Sequence, residues 1–320
     1  VDTFIQQLIN GLSLGSLYAL IAVGYTVVYG ILQLINFAHG EVFMIGAFGA
    51  LTTSLVLFNG NTALWTLPFM IIGAVIASVT TAVLMERFAY RPLRNAPRLA
   101  PLITAIGVSV FLQELVRLNY NNVPFTSWNP LNLPDAKSRI PFPQIDVVTG
   151  PAIQIGGVTI QRAAIFTIGA LVVCSALLWY FINRTKMGRG MKAVSQDADT
   201  ARLMGINVDR IIVVAFALGA VLAAVAGVAQ GLQNNNIDFR MGFLAGLKAF
   251  TAAVIGGIGN VEGAVLGGLV LGVTEAMATQ YIPGQFGGGP WKDVWAFVLL
   301  ILVLVFRPQG LLGAKEVDRA

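Results

Sequence analysis

Between Val42 and Met85 the chain carries no Asp, Glu, Lys or Arg, and Thr3–Ala38, Ala163–Asn183 and Ile211–Ile237 are equally free of charge. A helix crossing about 30 Å of hydrocarbon needs about 20 mostly apolar residues. Uncharged runs of this length, repeated along one chain, fit a bilayer far better than water. The fold class they predict is an all-α polytopic membrane protein of roughly eight to ten transmembrane helices, some of them half-helices. Only 11% of the 320 residues are charged, against about 25% in soluble domains. The whole chain, 1–320, therefore reads as a single transmembrane domain.

Spans are expected at about 4–29, 42–58, 62–86, 99–118, 162–183, 210–231, 243–258, 261–281 and 293–306. The short, Gly-rich 243–258 is a candidate half-helix. Val1–Phe4 lacks the basic start of a signal peptide, so none is expected. The net charge of +5 is read as cytoplasmic loop charge rather than a nucleic-acid footprint. Arg87, Arg91, Arg94 and Arg98 mark one cytoplasmic loop, Arg184 to Arg210 a second, and Arg307, Lys315 and Arg319 the tail. Asn119–Gln161, rich in Pro and Asn, is then extracytoplasmic, and the alternation puts the N-terminus outside as well.

Two segments match in reverse topology. Phe37, Gly40 and Phe48 align with Phe239, Gly242 and Phe250 at one constant offset, the pattern of an inverted repeat. The first segment contains Asn36-Phe37-Ala38-His39-Gly40-Glu41, a polar break between apolar runs. It is either a short turn with Glu41 as an acidic helix cap or a helix interrupted at membrane depth, with polar groups lining a substrate path. Asn36, Phe37, His39 and Gly40 are candidate pathway residues on the second reading. Ionisable residues stranded among apolar ones are candidates by default, and Lys248 and Glu275 are the pair selected. Glu114 and Arg117 suit a local i,i+3 pair, and Glu262 also lies stranded. Gly pairs four apart, such as Gly11/Gly15, Gly242/Gly246 and Gly268/Gly272, suit close helix packing, within the chain or against a second subunit.

Enzymatic classes find little support. His39 is the sole histidine and Cys174 the sole cysteine, so neither a multi-His nor a thiolate metal site is expected, and no cofactor. The glycines of Gly256–Gly263 lie between membrane helices, without the strand a dinucleotide site requires, and no G-x-x-x-x-G-K-[ST] loop occurs. The segment from Asn183 to Arg210 is too long for a turn and predicts a helix over Met191–Met204 stopped by Gly205. Its stripe of Val194, Ala198, Ala201 and Leu203 or Met204 suits docking on a partner.

Three ordered blocks resemble a known family. Gly11–Phe48, Arg189–Arg210 and Leu247–Gly272, the last followed by an apolar helix ending in Arg307-Pro308-Gln309-Gly310, are similar to the permease subunits of bacterial branched-chain amino acid ABC importers. Asn119–Gln161 lies outside the matched blocks. The resemblance implies an inner-membrane heterodimer with a second permease subunit, two cytoplasmic ATPase subunits and a periplasmic substrate-binding protein. It implies a coupling helix within 183–210, with Arg189, Ala193, Asp197, Ala201, Arg202 and Gly205 as candidate ATPase contacts, and a second contact with ATPase or anionic lipid at Arg87–Arg98. Urea and short-amide permeases share the superfamily, and an ion-coupled secondary transporter using Glu114, Glu262 or Glu275 is the alternative from another class.

Overall fold

The computed structural model describes residues 2–94, 96–97, 99–122 and 129–313; Arg98, Lys315 and Arg319 of the basic clusters lie outside them. Eleven helices occur among these residues: α1 (Asp2–Leu32), α2 (His39–Phe58), α3 (Thr66–Met85), α4 (Leu99–Asn119), α5 (Arg162–Arg184), α6 (Lys186–Gln196), α7 (Ala198–Leu203), α8 (Val208–Asn234), α9 (Met241–Gly256), α10 (Val261–Tyr281) and α11 (Lys292–Phe306). Eight helical stretches are long and apolar enough to cross a membrane, and α9 is a shorter apolar helix. Each of the nine expected segments is thus helical, with ends shifted by a few residues, and eight of them are long enough to span. Short strands β1 (Ile140–Pro141), β2 (Pro151–Ile155), β3 (Val158–Gln161) and β4 (Asn236–Ile237) form two small antiparallel pairs, β1 with β4 and β2 with β3.

The bundle has two distinct ends. At one, the Gln6 amide donates to the Thr159 carbonyl at 3.0 Å, Thr62 hydrogen-bonds Asp146, and Phe142 packs on Gly231. The start of α1 and the 129–161 segment therefore share a face, as the charge alternation predicted. At the other end Arg91 and Arg94 both pair with Asp209 at the start of α8, and Arg94 also pairs with the buried Glu86. Two of the basic residues expected to face a partner or lipid are thus ion-paired within the chain, Arg91 remaining exposed, and they clamp the end of α3 to α8.

α1, α8, α2 and α9 form the centre. Apolar burial does not drive helix association in lipid; close backbone approach does. α1 and α10 meet through small residues: a Cβ on Gly272 would lie 2.2 Å from the Gly15 nitrogen, and one on Gly268 2.5 Å from Ala19. The predicted Gly pairs thus pack within the chain. Outward, α4, α5 and α11 expose Ile103, Phe111, Leu177, Ile301 and Val305, side chains suited to lipid or a second subunit.

The inverted repeat is written in the backbone. α1 ends at Leu32 and α8 at Asn234, followed by Gln33 (φ 51°) and Asn235 (φ 60°), both left-handed and both donating their amide back one turn, to Tyr29 and Gly231. Next, Asn36 Oδ1 accepts from the Ala38 amide and Asp238 Oδ1 from the Arg240 amide. The amides of His39 and Met241 bond to the carbonyls of Asn36 and Asp238, and those of Glu41 and Phe243 to Ala38 and Arg240. Every pair keeps the offset seen in the sequence. Because α1 and α8 start at opposite ends of the bundle, the two units run in opposite directions.

Candidate functional site

The two units converge deep in the bundle. His39, the first residue of α2, packs against Gly24 and Gly219. Gly24 lies about two turns before the end of α1, and Gly219 about three turns into α8, hence roughly 12–16 Å from that face at 1.5 Å per residue. The chain thus leaves α1, climbs back into the bundle through 33–38, and only then starts α2. The segment 235–240 does the same from the opposite face before α9. The break at Asn36–Glu41 is therefore the interrupted helix, not the surface turn. The helices that follow place their N-termini together: a Cβ on Gly40 would lie 2.3 Å from the Gly242 carbonyl oxygen, and one on Gly242 2.6 Å from that of Gly40.

Polar groups gather at this junction. Glu41 is fully buried; its Oε1 accepts hydrogen bonds from Ser109 Oγ and Gln113 Nε2, both at 2.8 Å, while Oε2 has no hydrogen-bond partner and lies beside Gly242. Two helix N-termini, each carrying partial positive charge, favour a carboxylate here. The Tyr90 hydroxyl donates to Asn36 Oδ1 at 2.5 Å, and the His39 ring stands edge-on to Tyr25 with centroids 4.7 Å apart. Phe37 contributes to a cavity of about 430 Å³ lined also by Tyr25, Ser109, Val110, Gln113 and Phe243. Of the sequence-selected pathway residues, Asn36, Phe37, His39 and Gly40 thus stand together, with Phe37 facing the cavity.

Lys248 and Glu275 meet elsewhere, between α9 and α10. Lys248 Nζ lies 2.8 Å from Glu275 Oε1 and 2.5 Å from Asp293 Oδ1 at the start of α11, and the Tyr18 hydroxyl is 3.1 Å from Glu275 Oε2. Lys248 and Glu275 are 5% and 2% exposed. Their groups satisfy one another, tying α1, α9, α10 and α11 together, and they do not line the cavity beside Phe37. Glu114 and Arg117 form the local pair expected of them, and Glu262 is an exposed residue in the first turn of α10.

On the face of Asp209, the segment 183–210 folds differently from the single helix predicted. Asp197 interrupts it with an extended backbone (φ −158°), and its carboxylate accepts from the Asp199 and Thr200 amides. A side chain that caps a new helix competes with continuing the old one. α6 and α7 result, and Gly205 (φ 83°) ends α7 as expected. Met191, Val194 and Ala201 turn inward into the same buried core as Val208 and Ile211. Ala201 is therefore buried and unavailable to a partner, and Ala193 is half-buried, whereas Arg189, Asp197, Arg202 and Gly205 are exposed. Leu203 and Met204, 88% and 79% exposed, project at the tip.

The family model described as branched-chain amino acid transport system / permease component matches residues 7–304. The chain belongs to this permease family. It is 46% identical over 323 residues to the high-affinity branched-chain amino acid transport system permease protein BraD of Pseudomonas aeruginosa, covering 99% of this chain and 98% of the relative. It is 42% identical over 318 residues to LivH of Escherichia coli, covering 99% and 97%, and 26% identical over 303 residues to a probable LivH of Methanocaldococcus jannaschii, covering 93% and 89%.

In this permease, sequence reasoning missed Ser109, Gln113, Tyr18 and Asp293, and gave Glu41 only a capping role. Ser109 and Gln113 lie four apart on α4, one face of a helix, and Asp293 is an acid at the head of an apolar helix. These were the available signals.

Proposed function

We propose that this chain is the transmembrane permease subunit of an ATP-driven importer that carries branched-chain, aliphatic amino acids across the bacterial inner membrane. The full-length similarity to BraD and LivH carries the reading, and an inverted repeat whose half-helices meet at mid-depth supports it, since transporters place their cargo sites at such junctions. The end bearing Arg91, Arg94 and α6–α7 faces the cytoplasm by its charge. There Leu203, the last residue of α7, and Met204 after it dock against an ATPase subunit, with Arg202 and the exposed Arg189 of α6 as further contacts. A second, different permease subunit, two ATPase subunits that hydrolyse the ATP, and a periplasmic binding protein complete the assembly.

The test is uptake of labelled leucine into proteoliposomes holding the complete assembly, with ATP in the lumen, binding protein outside and labelled urea in parallel. Leucine uptake that requires both ATP and binding protein is expected. Urea uptake alone would change the substrate, and uptake on an ion gradient without ATP would overturn the mechanism.

A further inference from the structure

The cavity beside Phe37 has a composition that fits a particular ligand. One end is polar: Ser109 and Gln113 line it, and both hydrogen-bond to Glu41, which stands directly behind them. The rest is formed by Phe37, Tyr25, Ile106, Val110, Phe243 and Leu247, mostly apolar, and the half-exposed Ile106, Val110 and Phe243 open it to the outer face of the bundle. Its volume of about 430 Å³ falls within the range of small-molecule sites.

Glu41 is difficult to explain as structure alone. A buried charge is costly unless paired; both hydrogen bonds go to Oε1, and on the Oε2 side stands only the N-terminus of α9, with no hydrogen bond to it. Oε2, fully buried, has no donor. Its neighbour is Gly242, which carries no side chain that could supply one. No Lys or Arg forms an ion pair with Glu41 among the described residues. The vacant oxygen calls for a donor, and a cationic one gives the strongest hydrogen bond to a carboxylate.

We infer that this cavity is the site where an aliphatic amino acid pauses in transit, its ammonium group received by Glu41 at the Ser109–Gln113 end and its side chain lying among Val110, Phe243 and Leu247. The inference rests on the transport function proposed above and adds the binding residues. Because Glu41 lies behind Ser109 and Gln113, the ammonium reaches it when α4 and the head of α9 part. The head of α9 is one of the two half-helix ends that meet here, so the site opens where the two repeats move against each other.

The complete assembly in proteoliposomes provides the test, with lumenal ATP and saturating leucine- or valine-loaded binding protein, so that receptor affinity does not set the rates. Glu41→Gln keeps the size of the side chain and removes its charge; leucine uptake is expected to fall at least tenfold while the assembly still co-purifies. Val110→Phe fills the apolar end and reports even if the first variant fails to assemble. It is expected to lower the leucine-to-valine uptake ratio by about tenfold, the scale on which a pocket discriminates one methylene. An unchanged ratio in Val110→Phe overturns the site whatever Glu41→Gln does, and so does wild-type uptake by an assembled Glu41→Gln complex. A wild-type assembly that takes up no leucine overturns the transport function itself.

Discussion

Gly40 and Gly242 occupy equivalent positions in the two inverted units and touch each other, each lying where a side chain would enter the other's carbonyl oxygen. The pseudo-twofold axis of the molecule passes between them. Two helix N-termini can come this close only if neither residue carries a Cβ.

The first consequence is a sharp intolerance to size. Gly40→Ala and Gly242→Ala are each expected to destabilise the bundle by about 1–3 kcal/mol or more, as overpacking does, lowering the melting temperature in detergent and abolishing uptake. Gly107 on α4, with nothing within 4 Å of its would-be Cβ, is the control. Gly107→Ala should leave both measurements unchanged.

The Lys248 cluster behaves as a structural tie. Lys248→Met strands Glu275 and Asp293 as buried or half-buried carboxylates, and breaking a buried pair costs about 3–5 kcal/mol. The yield of folded protein should fall steeply. Lys248→Met combined with Glu275→Gln removes one stranded charge and should recover part of the loss. If the double variant is no more stable than Lys248→Met, the cluster is not the tie described.

At the tip of α7, Leu203→Glu with Met204→Glu should leave folding intact, because both side chains are exposed. Co-purification of the ATPase should drop at least tenfold, with uptake following. Ala201→Glu, in contrast, forces a charge into the buried core that holds Val208 and Ile211 and should prevent folding. If the ATPase co-purifies normally with the Leu203/Met204 double variant, α7 is not the docking element.

Asp197 gives α7 a pH dependence. The Thr200 hydroxyl, helped by the Thr200 and Asp199 amides, holds its carboxyl below the ordinary carboxylate range. A depressed pKa means that the cap contributes fully at neutral pH and is lost as the pH falls through the folded value. Protection of the backbone amides in 198–203, taken against the intrinsic exchange rate at each pH, should therefore fall as the pH drops below the ordinary carboxylate range. Asp197→Ala should show low protection at every pH, and Asp197→Asn, which still caps, should keep its protection as the pH falls.

Much of this was legible in the sequence for a physical reason. Span positions follow from runs of uncharged residues, and the half-helix at α9 from its short apolar run between glycines. The repeat showed through Phe37, Gly40 and Phe48 because glycine at a backbone contact is hard to replace. The partners at the junction were not legible. Ser109 and Gln113 come from α4, far along the chain from Glu41, and only the packing of α4 on α2 brings them together. The Lys248–Glu275 pair was named without its third member, since Asp293 resembles an ordinary helix-starting acid until α11 is seen beside α9. The break at Asp197 was hidden because its capping side chain overrode a segment of good helix formers.

The turns after α1 and α8 share the four hydrogen bonds they make within themselves, yet their side chains differ: Gln33 answers Asn235, Asn36 answers Asp238, and Glu41 answers Phe243. A main chain built as two reversed copies treats inward and outward alike, like a word that reads the same from either end. The carboxylate of Glu41 standing opposite the phenyl ring of Phe243 across the axis is one place where the two readings of this palindrome differ.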